Sequence, residues 1–181
     1  MKTITLLSDF GLKDPYVGIM KGVVLSIFSD VRIVDITHEV DPQDVREGAF
    51  IVEEYYRHFE KGTIHVAVVD PTVGSDRRSI VFSKGGHFFI GPDNGVFTLL
   101  YDDSVLVYAI ENSRYMLRDI SPTFHGRDIF APAAAYLASG VQLSTFGNTV
   151  NDPVTLPDIY PIIEKNVLKR EVVRFDRFGN G

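Results

Sequence analysis

The first seventy residues alternate short apolar runs with amphipathic stretches, and this alternation limits the available folds more than any other feature. Ile4 to Leu7 is an apolar run of strand length that ends in Ser8-Asp9-Phe10-Gly11, a turn signal. Asp14 before Pro15 has the form of an N-cap followed by proline in the first helical turn. Val17, Met20, Val24, Ile27 and Phe28 then recur at helical spacing. Val31 to Ile36 reads as a second strand. A second helix runs from about Asp44 to His58, with Val45, Ala49, Val52, Tyr56 and Phe59 as its apolar stripe. Thr63 to Val69 is a third strand, closed by Asp70. The order strand, helix, strand, helix, strand predicts a Rossmann-like α/β arrangement: a mostly parallel sheet with right-handed crossovers, flanked by helices.

Shorter β-like runs follow. Ser79 to Ser83 and Phe88 to Gly91 are joined through Lys84-Gly85-Gly86, which predicts a hairpin, and Val105 to Ile110 is a further strand. An alanine-rich helix from about Arg127 to Ser139 stops at Gly140, with Pro132 predicting irregular first turns or a later start. From Asn148 the composition shifts, and Pro153, Pro157 and Pro161 mark an extended linker. Arg170 to Phe175 reads as a new strand before the closing Phe178-Gly179-Asn180-Gly181. The expected organisation is an α/β domain over 1–150, a linker over 151–168 and the start of a truncated C-terminal β domain over 169–181. The 181 residues suffice for one well-cored domain and the beginning of another.

Composition removes several functional classes. A net charge of -6 and the absence of a basic stripe argue against nucleic acid as partner. No apolar stretch approaches a membrane span, and Met1 to Asp9 lacks the form of a secretory signal. There is no cysteine, so disulfides, thiolate metal sites and cysteine nucleophiles are out, as fits a cytoplasmic protein. No HExxH motif and no histidine pair at i and i+4 occur, so no metal site is expected.

The residues suited to chemistry cluster at predicted strand ends. Asp9 and Asp70 each follow a candidate parallel strand, the edge at which open α/β sheets bind ligands. A carboxylate there either accepts hydrogen bonds from ribose hydroxyls or shapes the next turn. In Asp70-Pro71-Thr72-Val73-Gly74-Ser75-Asp76-Arg77-Arg78 an arginine either folds back to hold Asp70 ionised or is solvated on a surface turn. His125, within Pro122-Thr123-Phe124-His125-Gly126-Arg127-Asp128, stands at a helix start as a proton acceptor, a hydrogen-bond donor or a plain loop residue. The remaining histidines, His38, His58, His65 and His87, read as structural or solvated. Pro92-Asp93-Asn94-Gly95 is a turn in which Asn94 either shapes the backbone or faces a ligand.

Taken in order, five motifs resemble one family, the S-adenosylmethionine hydroxide adenosyltransferases, relatives of the fluorinases and chlorinases. They are Ser8-Asp9-Phe10-Gly11 with Asp14 and Tyr16; Val69 through Arg78; Gly91-Pro92-Asp93-Asn94-Gly95; Thr123 through Asp128; and Asp176-Arg177-Phe178-Gly179-Asn180. The resemblance implies hydrolysis of S-adenosylmethionine to adenosine and methionine, with no cofactor. It implies that Asp70, Arg77 and His125 organise the attacking water, a trio replaced in the halide-using relatives. It implies substrate contacts from Asp9 to the ribose and from Asp14, Asn94, Thr123 and Phe124 around the same pocket. Asp176 and Asn180 are implied at the methionine end, reached across a subunit boundary in a homotrimer. Either Asp70 or His125 is left to take the water proton, with Arg77 beside Asp70 tilting the choice to His125. Thr72 stands where most family members have glycine, which predicts strain if that position needs a positive φ.

Overall fold

The computed structural model describes residues 1–157, 159, 162–164, 167–169, 172, 178 and 179. The first five elements come in the expected order: β1 (Lys2–Ser8), α1 (Tyr16–Ile27), β2 (Val31–Thr37), α2 (Val45–Tyr55) and β3 (Ile64–Val68). Then follow β4 (Ser79–Lys84), β5 (His87–Pro92), β6 (Val107–Ala109), α3 (Ala131–Ala138) and β7 (Thr149–Val150). Strands β1 to β7 form one mixed sheet in the order β2-β1-β3-β5-β4-β6-β7. Its pairs β2-β1, β1-β3 and β3-β5 are parallel, whereas β4, β6 and β7 are joined by antiparallel pairs. This is the α/β fold that the alternation predicts. The chain leaves β1 towards β2 on one side and returns as β3 on the other, so a switch point lies between β1 and β3.

Period-two alternation splits the core in two. Ile4, Leu6, Val66, Val68, Val81 and Ile90 point to the layer shared with α1 and α3, while Leu7, Ala67, Val69, Ile80, Phe82 and Phe89 point to the layer with α2. Both faces of β1 and β3 are therefore buried, which is why these strands read as continuous apolar runs. Gly85 and Gly86, both at positive φ, close the β4-β5 hairpin, a conformation open to glycine at little cost.

Local departures have local causes. Asp14 does not cap α1: Pro15 occupies the N-cap position, so Asp14 falls outside the helix and is exposed. Asp44 does cap α2, accepting from Glu47 N–H at 2.8 Å. The alanine-rich segment opens as one π-helical turn, Gly126–Phe130, before α3 begins with Pro132 in its first turn. Proline has no N–H to bond the carbonyl of Asp128 four residues back. That carbonyl instead accepts from Leu117 N–H at 2.8 Å.

Residues 151–157 pass the segment that follows β5, with Val154 N–H bonded to Asp93 and Leu156 N–H to Thr98. Beyond them the segment read as linker carries a short antiparallel pair, β8 (Ile162–Glu164) and β9 (Val167–Lys169). The strand expected over Arg170 to Phe175 lies, apart from Val172, outside the described residues.

At the opposite end of the sheet from the candidate site, His65 is fully buried. Its ring stacks on Phe89 and meets Tyr55, Tyr56 and Phe59 edge-on. Thr5 bonds Nδ1 at 2.9 Å, and His87 lies 3.2 Å from Nε2. Burial, reinforced by His87, lowers its pKa to about 3. The unfolded chain therefore binds the extra proton first, and stability falls as pH drops from about 6.5 towards 3. Denaturant unfolding measured across that range should show a shallower acid loss in His65→Phe, whose ring suits the aromatic cage.

Candidate active site

The β1-β3 register sets the site. Leu7 pairs with Ala67 and Ser8 with Val68, so both strands end level at the switch point, with Asp9 one residue and Asp70 two residues beyond the last pair. Between them lies a cavity of about 50 Å³ lined by Asp9, Phe10, Val68, Asp70, Val73, Thr123, Phe124, His125 and Gly126. That is room for more than one water molecule.

Arg77 folds back onto Asp70, and both side chains are almost fully buried, at 6% and 5% exposure. Its Nε–H lies 3.0 and 2.9 Å from the two carboxylate oxygens, and Nη2 also donates to Oδ2. Nη1 donates to the Arg78 carbonyl and to Ser79 Oγ. The second Nη2 proton goes to His125 Nδ1 at 2.8 Å, and the guanidinium lies over the Phe130 ring. A guanidinium has five N–H donors, and all five are engaged within the protein. Arg77 thus orients other groups and has no donor left for a ligand.

This arrangement also fixes the tautomer of His125. Arginine cannot accept a hydrogen bond, so Nδ1 must carry the lone pair and the ring proton sits on Nε2. Burial lowers the His125 pKa, and the Arg77 charge lowers it further, against smaller opposing effects of Asp70 and Asp128. The imidazole is a neutral donor through Nε2–H.

Two turns must approach closely for Arg77 to reach His125. Gly74, at φ +79°, packs against the carbonyl of Pro122, and any Cβ there would overlap that oxygen. Behind His125, the fully buried Asp128 carboxylate accepts from Ser121 N–H and from Arg127, whose guanidinium lies over Phe124. Thr72 is not at positive φ, so no backbone strain arises there, and its hydroxyl donates to Asp70 Oδ1 at 3.3 Å.

The other expected contacts divide. Thr123 and Phe124 line the cavity, with Phe124 edge-on to Phe10 and Tyr16. Asn94 does not: its side chain donates to the Val69 carbonyl and accepts from Val96 N–H, tying the β5 turn to the end of β3. Asp14 is exposed and is not among the residues lining this cavity. Asp176 and Asn180 lie outside the described residues. Arg78, the neighbour of Arg77, points elsewhere and bonds Asp93 and Asp152. Phe10, Val73 and Gly74 lie inside the family motifs without an implied role there, and Ser79 reads only as the start of a strand. Among the described residues no group of three His, Asp or Glu side chains is arranged to hold a metal ion. None of the described helices is long and apolar enough to cross a membrane.

Comparison with known proteins gives a consistent result. Residues 4–147 match the family described as SAM hydroxide adenosyltransferase N-terminal domain. An (R)-S-adenosyl-L-methionine hydrolase of Thermus thermophilus is 39% identical, over 99% of this chain and 73% of its own length. One from Methanocaldococcus jannaschii is 36% identical, over 98% of this chain and 64% of its own. A fluorinase of Actinoplanes sp. is more distant, at 28% identity over 98% of this chain and 69% of its own. The solved structure of an uncharacterised conserved protein from Thermotoga maritima superposes with a TM-score of 0.90 at 39% identity. That match covers 97% of this chain and 68% of the other. The chain thus spans about two thirds to three quarters of the length of these hydrolases.

Two measurements test this geometry. Nitrogen-15 NMR should find His125 protonated on Nε2, with a titration midpoint below 6.5 that rises in Arg77→Gln. Gly74→Ala should cost about 1–3 kcal/mol of stability in denaturant unfolding, because backbone rather than a movable side chain meets the new methyl group.

Proposed function

The chain belongs to the SAM hydroxide adenosyltransferase family, and we propose that it hydrolyses S-adenosyl-L-methionine to adenosine and L-methionine by attack of water at ribose C5′. The observation that carries this reading is the Asp70–Arg77–His125 cluster beside a cavity of water size. An oxygen–C5′ bond forms as the C5′–sulfur bond breaks, and the electron pair leaves on sulfur as a neutral thioether. The leaving group therefore needs no proton. The nucleophile must lose one, and placing it in line with the scissile bond contributes up to about 7–11 kcal/mol in ideal cases.

The tautomer of His125 argues against the proton acceptor that the sequence favours, because Arg77 occupies its lone pair. We assign the proton to Asp70 instead. The single Arg77 Nε proton is shared between both Asp70 oxygens, so with Arg77 Nη2 and Thr72 Oγ1 three protons meet about four acceptor sites, and capacity for a water proton remains. In this proposal His125 Nε2–H donates to the same water and fixes its direction. Asp9 holds the ribose hydroxyls, with Thr123 and Phe124 on the opposite wall.

The cavity is far smaller than the roughly 300–1,000 Å³ that encloses a ligand of this size. That supports a site completed by a second surface, a homotrimer in which Asp176 and Asn180 of a neighbouring copy reach the methionine end. A cytoplasmic setting belongs to the same proposal, since a cysteine-free chain needs no oxidising compartment.

Incubating the full-length protein with each sulfur epimer of S-adenosylmethionine in isotopically heavy water, followed by mass spectrometry, tests the reading. The expected product is adenosine labelled at the 5′-hydroxyl, and the relatives' name directs attention to the (R) epimer. Asp70→Asn and His125→Ala should lower kcat about 10²-fold or more, with a smaller change in substrate binding. Unlabelled adenosine, a 5′-halo product or near-normal turnover in both variants would defeat the proposal.

A further inference from the structure

A second hydrogen-bonded chain lies one layer behind Asp9. Ser8 Oγ bonds His38 Nδ1 at 2.7 Å, His38 Nε2 bonds Asp35 Oδ1 at 3.1 Å, and Lys21 Nζ bonds Asp35 Oδ2 at 2.5 Å. The order serine, histidine, aspartate resembles a nucleophilic triad, but Ser8 is buried, is absent from the cavity wall and already accepts from Phe10 N–H. Its geometry serves the turn instead. Gly11 N–H donates to the His38 carbonyl at 2.7 Å, and Val40 N–H donates to the Ser8 carbonyl at 3.4 Å. The turn after β1 is thus laced to residues 38–40 on both sides of Asp9.

Gln43 adds an independent observation. Among the described residues it is the one non-glycine at positive φ, +68°. Such a conformation is strained for a residue with a side chain and persists only where the surroundings require it. Here it aims the Gln43 N–H at Asp9 Oδ2, at 2.8 Å. One carboxylate oxygen is committed to the backbone, and the carboxylate plane is set.

We propose that Ser8, His38 and Gln43 are positioning residues that orient the Asp9 carboxylate for a vicinal diol, with Asp35 and Lys21 anchoring His38 from behind. The inference rests on the reading of Asp9 as the ribose contact. It makes discrimination between ribose and 2′-deoxyribose depend on His38, a residue that does not touch the ligand.

The test compares adenosine with 2′-deoxyadenosine as competitive inhibitors of the full-length enzyme. His38→Ala should shrink the wild-type preference for adenosine about tenfold and raise the KM for S-adenosylmethionine, with the smaller effect on kcat. His38→Asn, whose side-chain oxygen accepts from Ser8 in place of Nδ1, should restore the preference, whereas His38→Gln, which reaches only Asp35, should not. Ser8→Ala should reproduce the His38→Ala loss and carries the test if His38→Ala does not fold. Equal weakening of both inhibitors, a loss confined to kcat, or a full preference retained in His38→Ala would overturn the inference alone. A wild-type enzyme indifferent to the 2′-hydroxyl would overturn the ribose reading of Asp9 and this inference with it.

Discussion

The parallel pairing of β1 with β3 is the constraint from which the site follows. Because Ser8 lies level with Val68, both strands end at the same crevice, and Asp9, one residue on, and Asp70, two residues on, line it together. A slip of one residue would send Leu7 and Ala67 into the wrong layer, so the two-layer core enforces the register. The geometry of the candidate site is thereby secured by apolar side chains of the core.

Arg77 and Asp70 illustrate how a buried charge pair is made tolerable. Removing both from water is expensive, and the cost is offset only when geometry is good and every donor finds a partner. Carboxylate, carbonyl, hydroxyl and imidazole together meet that condition around the guanidinium. The same saturation dictates the tautomer of a histidine 48 positions away in sequence. Gly74 is the steric counterpart, since the absence of one methyl group lets the two turns meet.

Much of this was legible in the sequence, and the limits have physical causes. The βαβαβ alternation, the glycine hairpin and the strand-end aspartates are local signals, and each emerges in the fold. Residue type alone does not separate Arg77 from Arg78 as the partner of Asp70, since adjacent arginines differ only in where the backbone aims them, and the family resemblance alone pointed to Arg77. Asn94 turns from the cavity for a similar reason: its side chain goes to backbone groups left unbonded nearby, at Val69 and Val96. The π-turn before α3 was half visible, as Pro132 announced an irregularity without its form. Gln43 gave no signal at all, since a left-handed glutamine is selected by tertiary contacts and not by propensity.

The saturation of Arg77 also decides the sign of the field inside the crevice. Among the described residues the wall presents the Asp9 and Asp70 carboxylates and a neutral imidazole, and no lysine or arginine side chain lines it. The Arg77 and Asp70 charges offset each other, so the Asp9 carboxylate is the uncompensated charge on that wall. Such a chamber draws in a cationic sulfonium and disfavours a small anion, while an uncharged molecule enters without electrostatic penalty. For the proposed reaction, a halide approaching this wall meets an electrostatic penalty that water does not.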